Sequence, residues 1–141
     1  MRVNKYVLDT NIWLSYLIAG QTDFLIEIVA NQSVIIYRCD ELLKELKRIL
    51  DYPHIKKYKL NKVAVARFIK QITINHELKY PIKNYIPGDK DDDYIVALAL
   101  QTNSGFITSG DRHILSQKKV LENTYSRLKI ITKIEFESKF K

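Results

Sequence analysis

The sequence predicts a three-layer α/β/α sandwich around a central parallel sheet of four to five strands. Short β-branched or apolar segments alternate with segments of helical period along the chain, an order that favours parallel strands with helices on both faces. The apolar share is 46% over 141 residues, enough for one sizeable core. No repeat, low-complexity stretch or linker divides the chain, so residues 1–141 read as a single domain.

The elements follow in order. "RVNKYVL", residues 2–8, reads as a strand ending at Asp9, and "NIWLSYLIA" as a helix closed by Gly20. Thr22 or Asp23 is placed to cap the helix "FLIEIVAN". "SVIIYR" suits a buried strand. In "DELLKELKRIL", Leu42, Leu43, Leu46, Ile49 and Leu50 form one helical stripe, which Pro53 ends or bends. "NKVAVARFIKQITINHEL" offers a longer helix, and "YPIKNYI", with its proline, an edge strand. Pro87-Gly88 breaks the chain before "DKDDD", and "YIVALALQTN" follows as a central helix that Gly105 closes. "FITS" is a buried strand, "DRHILSQ" a short helix, "LKIIT" a last strand and "KIEFESKF" a terminal helix.

A formal net charge of +7 favours polyanions as partners, nucleic acid first. No apolar run reaches the roughly 18 residues of a membrane span, and "MRVNKYVLDTN" is interrupted before a signal-peptide core forms. Cys39 stands alone, which excludes a disulfide framework and a Cys-based zinc site and makes a reducing cytoplasm the expected compartment.

Against this basic background, four of the 16 acidic residues (Asp89, Asp91, Asp92 and Asp93) fall within five positions. Ligands of open parallel sheets bind beyond the carboxyl ends of the strands. Asp9 follows one strand, Asp111 another, and the knot enters near a third. Each acid taken singly is a good helix cap, worth about 1 kcal/mol. A cap needs only one carboxylate, however, and several at one edge repel. A hard divalent cation with oxygen ligands compensates them most simply. For a helix starting near Asp91, Asp92 shares the buried side with Ala99 and points inward, toward Asp9. Asp93 lies a step around the helix as second choice, while Asp89 and Asp91 sit at or before the cap. Glu41 or Glu45 adds a further acid from the preceding helix. Periodicity does not choose between them, and a solvated glutamate partnered by Arg48 accounts for Glu45 equally well.

"YVLDTNIWLSYL", "ELLKEL", "GDKDDDYIVALAL" and "FITSGDRHIL" occur in the order and at roughly the spacing of a PIN-domain protein. From about residue 4 to 135 the chain resembles the toxin components of toxin–antitoxin systems. The resemblance implies a Mg²⁺- or Mn²⁺-dependent ribonuclease with four metal-binding, catalytic acids, which fall on Asp9, Glu45, Asp92 and Asp111. It is the resemblance that selects Glu45 over Glu41. It also gives Asn11 and Ser109 a supporting role, orienting carboxylates or a metal-bound water, and implies a small antitoxin partner and a homodimer. One departure stands out: Arg112-His113 occupies the place where a further acid often sits.

RNA needs positive charge around such a site. Lys56 to Lys70 carries six basic residues and no acid, with Lys56, Lys57 and Lys59 as contact candidates and Tyr58 as a stacking surface. The bland alternative is one solvated helix face. His54, His76 and His113 read as structural, and Trp13 and the other aromatics as core or a self-association surface. Two rival functions differ in class. A phosphoryl-transfer or receiver domain wants a paired acid near the first aspartate, which "DTN" lacks. A catalytically silent nucleic-acid-binding module does not need all four acids.

Overall fold

The computed structural model describes residues 3–141. Five strands, β1 (Asn4–Leu8), β2 (Val34–Arg38), β3 (Ile74–Asn75), β4 (Phe106–Thr108) and β5 (Lys129–Ile131), form one sheet in the order β3-β2-β1-β4-β5. Every pairing is parallel. Arg2, expected in the first strand, lies outside the described residues.

The helices flanking the sheet are α1 (Thr10–Ala19), α2 (Thr22–Asn31), α3 (Asp40–Ile49), α4 (Pro53–Lys56), α5 (Lys62–Ile72), α6 (Asp93–Gln101), α7 (Arg112–Ser116), α8 (Lys118–Thr124) and α9 (Lys133–Ser138). This is the expected α/β/α sandwich. Helix α6 packs on β1, β2 and β4, and its residues from Asp93 to Ala99 are all buried, as its nearly unbroken apolar sequence requires. Trp13 is fully buried, which settles it as core.

Local signals placed most elements. Asp9 caps α1, taking the Ile12 N–H at 3.0 Å, and Gly20 ends it at φ 68°, a conformation that favours glycine. Other expectations fail where longer-range contacts intervene. The long helix expected over residues 61–78 stops at Ile72, because residues 74–75 join the free edge of β2. Arg38 fixes that change by donating from Nη1 to the Thr73 carbonyl at 3.2 Å and hydroxyl at 2.9 Å. "YPIKNYI" is therefore no edge strand, since that edge is already taken. The Gln101 side chain satisfies the Lys79 N–H and C=O, both at 2.9 Å.

Smaller corrections concern ends and short turns. Thr22 and Asp23 lie inside α2, whose cap position is Gln21. The left-handed residue after α6 is Asn103, not Gly105. Helices α4 and α8 have no counterpart in the expected elements, being too short for a hydrophobic period to show. The knot begins as a 3-10 turn, Lys90–Asp92, before α6 starts at Asp93.

Candidate functional site

The chain turns opposite ways from the centre of the sheet, through β2 and β3 on one side and β4 and β5 on the other. That reversal, between β1 and β4, is where a crevice opens in an open parallel sheet. Leu8 and Thr108 are register partners there, so Asp9 and Ser109 leave the sheet side by side. The Asp9 N–H donates to the Thr108 carbonyl at 3.1 Å. Ser109, fully buried, donates its hydroxyl to Asp9 Oδ2 and accepts the Asp111 N–H at 3.0 Å. One hydroxyl thus fixes the two aspartates that follow β1 and β4.

Glu45 enters from α3, where the Thr10 hydroxyl donates to its Oε1 at 2.9 Å. Asp111 caps α7 through Oδ1, taking N–H groups from His113 at 2.7 Å and Ile114 at 3.3 Å. Asp9 and Asp111 are therefore genuine caps, but each cap uses one oxygen. Asp92 caps nothing. Its Oδ2 is buried without a hydrogen-bond partner.

Electrostatics tie these acids together. Burial pushes the Asp9 carboxyl up to about 6, with Asp111 and Glu45 adding to the rise and the Ser109 and Ile12 hydrogen bonds opposing it. Burial also pushes Asp92 up to about 8, reinforced by Asp111, Asp89 and Glu45. Asp111 and Glu45 act on both. Tyr94, 7% exposed, is held protonated first by burial and then by the nearby Glu45 carboxylate, with Asp92 adding to the effect. No lysine or arginine pairs with Asp9, Glu45, Asp92 or Asp111 among the described residues. Self-repelling carboxylates and an orphaned buried oxygen fit a divalent cation with oxygen ligands.

The structure corrects the reading of the knot. Asp93 is not turned toward this cluster. Its Oδ1 accepts the Ile86 N–H at 2.8 Å, so it fastens the segment before the knot. Asn11 is exposed on the first turn of α1, and its side chain makes no hydrogen bond among the described residues. Asp89 and His113, read as peripheral and structural, are at the cluster instead. His113 Nδ1 lies 2.9 Å from Asp89 Oδ2 and 3.7 Å from Asp111 Oδ1. A donor atom from each of Asp89, Asp92, Asp111 and His113 lies within 4.8 Å of the others. The available signal was the position of His113, two residues past Asp111, where the resembling family often has an acid. His76 is remote in role, bonded to Gln101 at 2.9 Å.

Lys56, Lys57 and Lys59 are exposed on α4 and the turn after it, with Lys57 Nζ 5.2 Å from the Tyr58 ring centre. Further along the basic run, Lys62, Arg67 and Lys70 join Lys47 around a groove of about 670 Å³ between α3 and α5. A larger cavity of about 900 Å³, lined by Asn4, Lys5, Phe106 and Arg127 among others, opens at the amino ends of β1 and β4. It is at the edge opposite the acids.

The acids should give the metal-free protein a particular pH dependence. Unfolded, both aspartates ionise near their ordinary 3.8; folded, Asp9 holds its proton to about 6 and Asp92 to about 8. Proton binding therefore favours the fold, a contribution complete below about pH 4 and lost as pH rises through about 8. Melting in EDTA should show a falling Tm across that window, and Mg²⁺ or Mn²⁺ should flatten the fall. A level profile in EDTA would mean that neither burial nor the neighbouring acids raise these carboxyls.

A family model for the PIN domain matches residues 5–113. No curated protein matches the chain. Among solved structures, the chain is similar to that of VapBC2 from Rickettsia felis bound to a DNA fragment from their promoter. The TM-score is 0.52 at 12% identity, covering 91% of this chain and 98% of that one. At that identity the likeness is one of fold.

Proposed function

The chain belongs to the PIN-domain family, and we propose that it is a metal-dependent endoribonuclease, the toxin of a toxin–antitoxin pair, acting as one nuclease domain over residues 1–141. One observation carries the reading: acids from four separate segments meet at the switch point of the sheet, without a basic partner and with Asp92 Oδ2 buried and unpaired.

Asp9, Asp92, Asp111 and Glu45 would hold Mg²⁺ or Mn²⁺. When bound, such an ion supplies a water of lowered pKa and neutralises charge developing on the phosphodiester. The residues around it have separate tasks. Ser109 keeps Asp9 and Asp111 in fixed relation, and Thr10 holds Glu45 toward the site. Glu45 and Asp111 would bind the ion directly or through water, and either would help orient the attacking water. Asn11, exposed two residues past Asp9, would orient carboxylates or a metal-bound water. Asp93 acts only through the position of the knot.

A negative centre repels RNA unless cations surround it. Lys56, Lys57 and Lys59, continued by the groove of Lys47, Lys62, Arg67 and Lys70, would lead the strand in. Each neutralised phosphate contributes about −0.7 to the log–log salt slope of single-strand binding. Replacing Lys56, Lys57 and Lys59 together in an inactive variant should make that slope shallower by up to about 2. An unchanged slope would reduce these lysines to a solvated face.

The reading extends to a small antitoxin covering the acids, a homodimer and a cytoplasmic setting. The fold likeness to VapBC2, captured with DNA from their promoter, supports that context. The deciding experiment is incubation of metal-stripped protein with labelled structured RNAs in Mg²⁺, Mn²⁺ or EDTA. Cleavage of loops or single strands in either metal, absent in EDTA, is expected. Intact RNA in both metals would leave a silent nucleic-acid-binding module.

A further inference from the structure

His113 is where the cluster departs from an all-oxygen set of donors. It stands in the first turn of α7, and the Asp111 carboxylate fixes its backbone by taking its N–H at 2.7 Å. The imidazole Nδ1 faces the acids, 2.9 Å from Asp89 Oδ2 and 3.7 Å from Asp111 Oδ1. A surface ion pair with Asp89 would account for two of these groups. It does not account for Asp92 and Asp111 bringing donors within 4.8 Å of an imidazole nitrogen and of each other. A buried polar atom within the cluster points to a missing ligand as well: Asp92 Oδ2 lacks a hydrogen-bond partner.

We propose that His113 is a metal ligand, with Asp89 completing its set, and that it makes this centre prefer a first-row transition ion to Mg²⁺. The proposal rests on the nuclease reading, since the centre is the same one. Mg²⁺ is a hard ion that keeps its waters and takes oxygen. A neutral nitrogen donor adds little for it. Mn²⁺, Co²⁺ and Ni²⁺ accept imidazole with affinity rising in that order. The carboxylates, with Asp89 added to the four, keep the site hard enough for Mn²⁺, and the imidazole tilts the choice away from Mg²⁺. The sequence feature responsible is a single position, histidine where the resembling family often places an acid.

Binding of Mg²⁺, Mn²⁺ and Ni²⁺ to metal-stripped protein, measured by titration calorimetry, tests this in the wild type, His113→Asp and His113→Ala. Spin-echo modulation of bound Mn²⁺ reports whether a nitrogen coordinates it. The His113 side chain is 63% exposed, so both variants should fold. The wild type should favour Mn²⁺ and Ni²⁺ over Mg²⁺ and show the nitrogen signal. His113→Ala should lose about 10- to 100-fold in Ni²⁺ affinity, the range typical for groups that tune a metal site. His113→Asp should lose the nitrogen signal while retaining Mg²⁺. Mn²⁺ bound without nitrogen modulation, or an unchanged metal order in His113→Asp, would overturn the role of His113 and leave the carboxylate nuclease intact. Failure to bind any of the three ions would overturn both.

Discussion

Asp92→Asn should cut metal-dependent RNA cleavage by at least about a hundredfold, because loss of groups that merely support a metal ligand already costs about 10- to 100-fold. The change is nearly neutral in shape and removes one charge. Asp92 supports no helix cap and leaves Oδ2 unpartnered, so the native fold loses no cap. The metal-free variant should therefore become more stable, since a carboxylate pressed by Asp111, Asp89 and Glu45 is gone. After allowance for the solvent screening of a half-exposed group, the gain is on the order of 1 kcal/mol, or a few degrees in Tm. It should be largest above the point near pH 8 where Asp92 ionises, and vanish well below its ordinary 3.8, where it is protonated in both states. Asp93→Asn, one residue on, should destabilise the protein, because the Ile86 N–H loses its charged acceptor. Calorimetry across pH and a cleavage assay on the two variants separate them. Like behaviour would mean that Asp92 is no ligand.

Ser109→Ala should lower stability and cleavage together. Its buried hydroxyl serves two aspartates at once, donating to Asp9 and accepting from the Asp111 backbone. Losing it leaves a buried carboxylate and an N–H short of partners, at about 1–3 kcal/mol, or several degrees in Tm. Asp9 also loses the hydrogen bond that most opposes the effect of burial. Its pKa should rise above about 6, so metal binding near neutral pH should weaken and recover at higher pH. Titrating Mn²⁺ at two pH values tests this. Equal losses at both would mean that Ser109 matters only for packing.

Much of this molecule is written locally. Repeated strand and helix periods specified the parallel sandwich, because a buried face imposes its period on the residues that form it. Asp9 and Asp111 were legible as strand-end acids for the same reason: each follows a short apolar strand and opens a helix. The basic run from Lys56 to Lys70 and the crowding of aspartates at 89–93 are equally plain in the chain.

What remained undetermined depended on contacts far apart in sequence. Residues 73–75 looked helical until the open edge of β2 offered them a partner, held by Arg38. Asp92 and Asp93 differ by one step, and helical phase ranked them, but the knot opens as a 3-10 turn. At such an end a side chain is placed by what the next segment offers. Asp93 found the Ile86 N–H, and Asp92 was left facing the other acids. Asp89 and His113, 24 residues apart, meet only because the loop before α6 and the cap of α7 converge at the same sheet edge. The sequence alone determined the layers and which strand ends carry charge, because periodicity and caps act within a few residues. Only the tertiary structure decided which carboxylates face one another and that an imidazole joins them, because loop placement follows from packing across the whole fold.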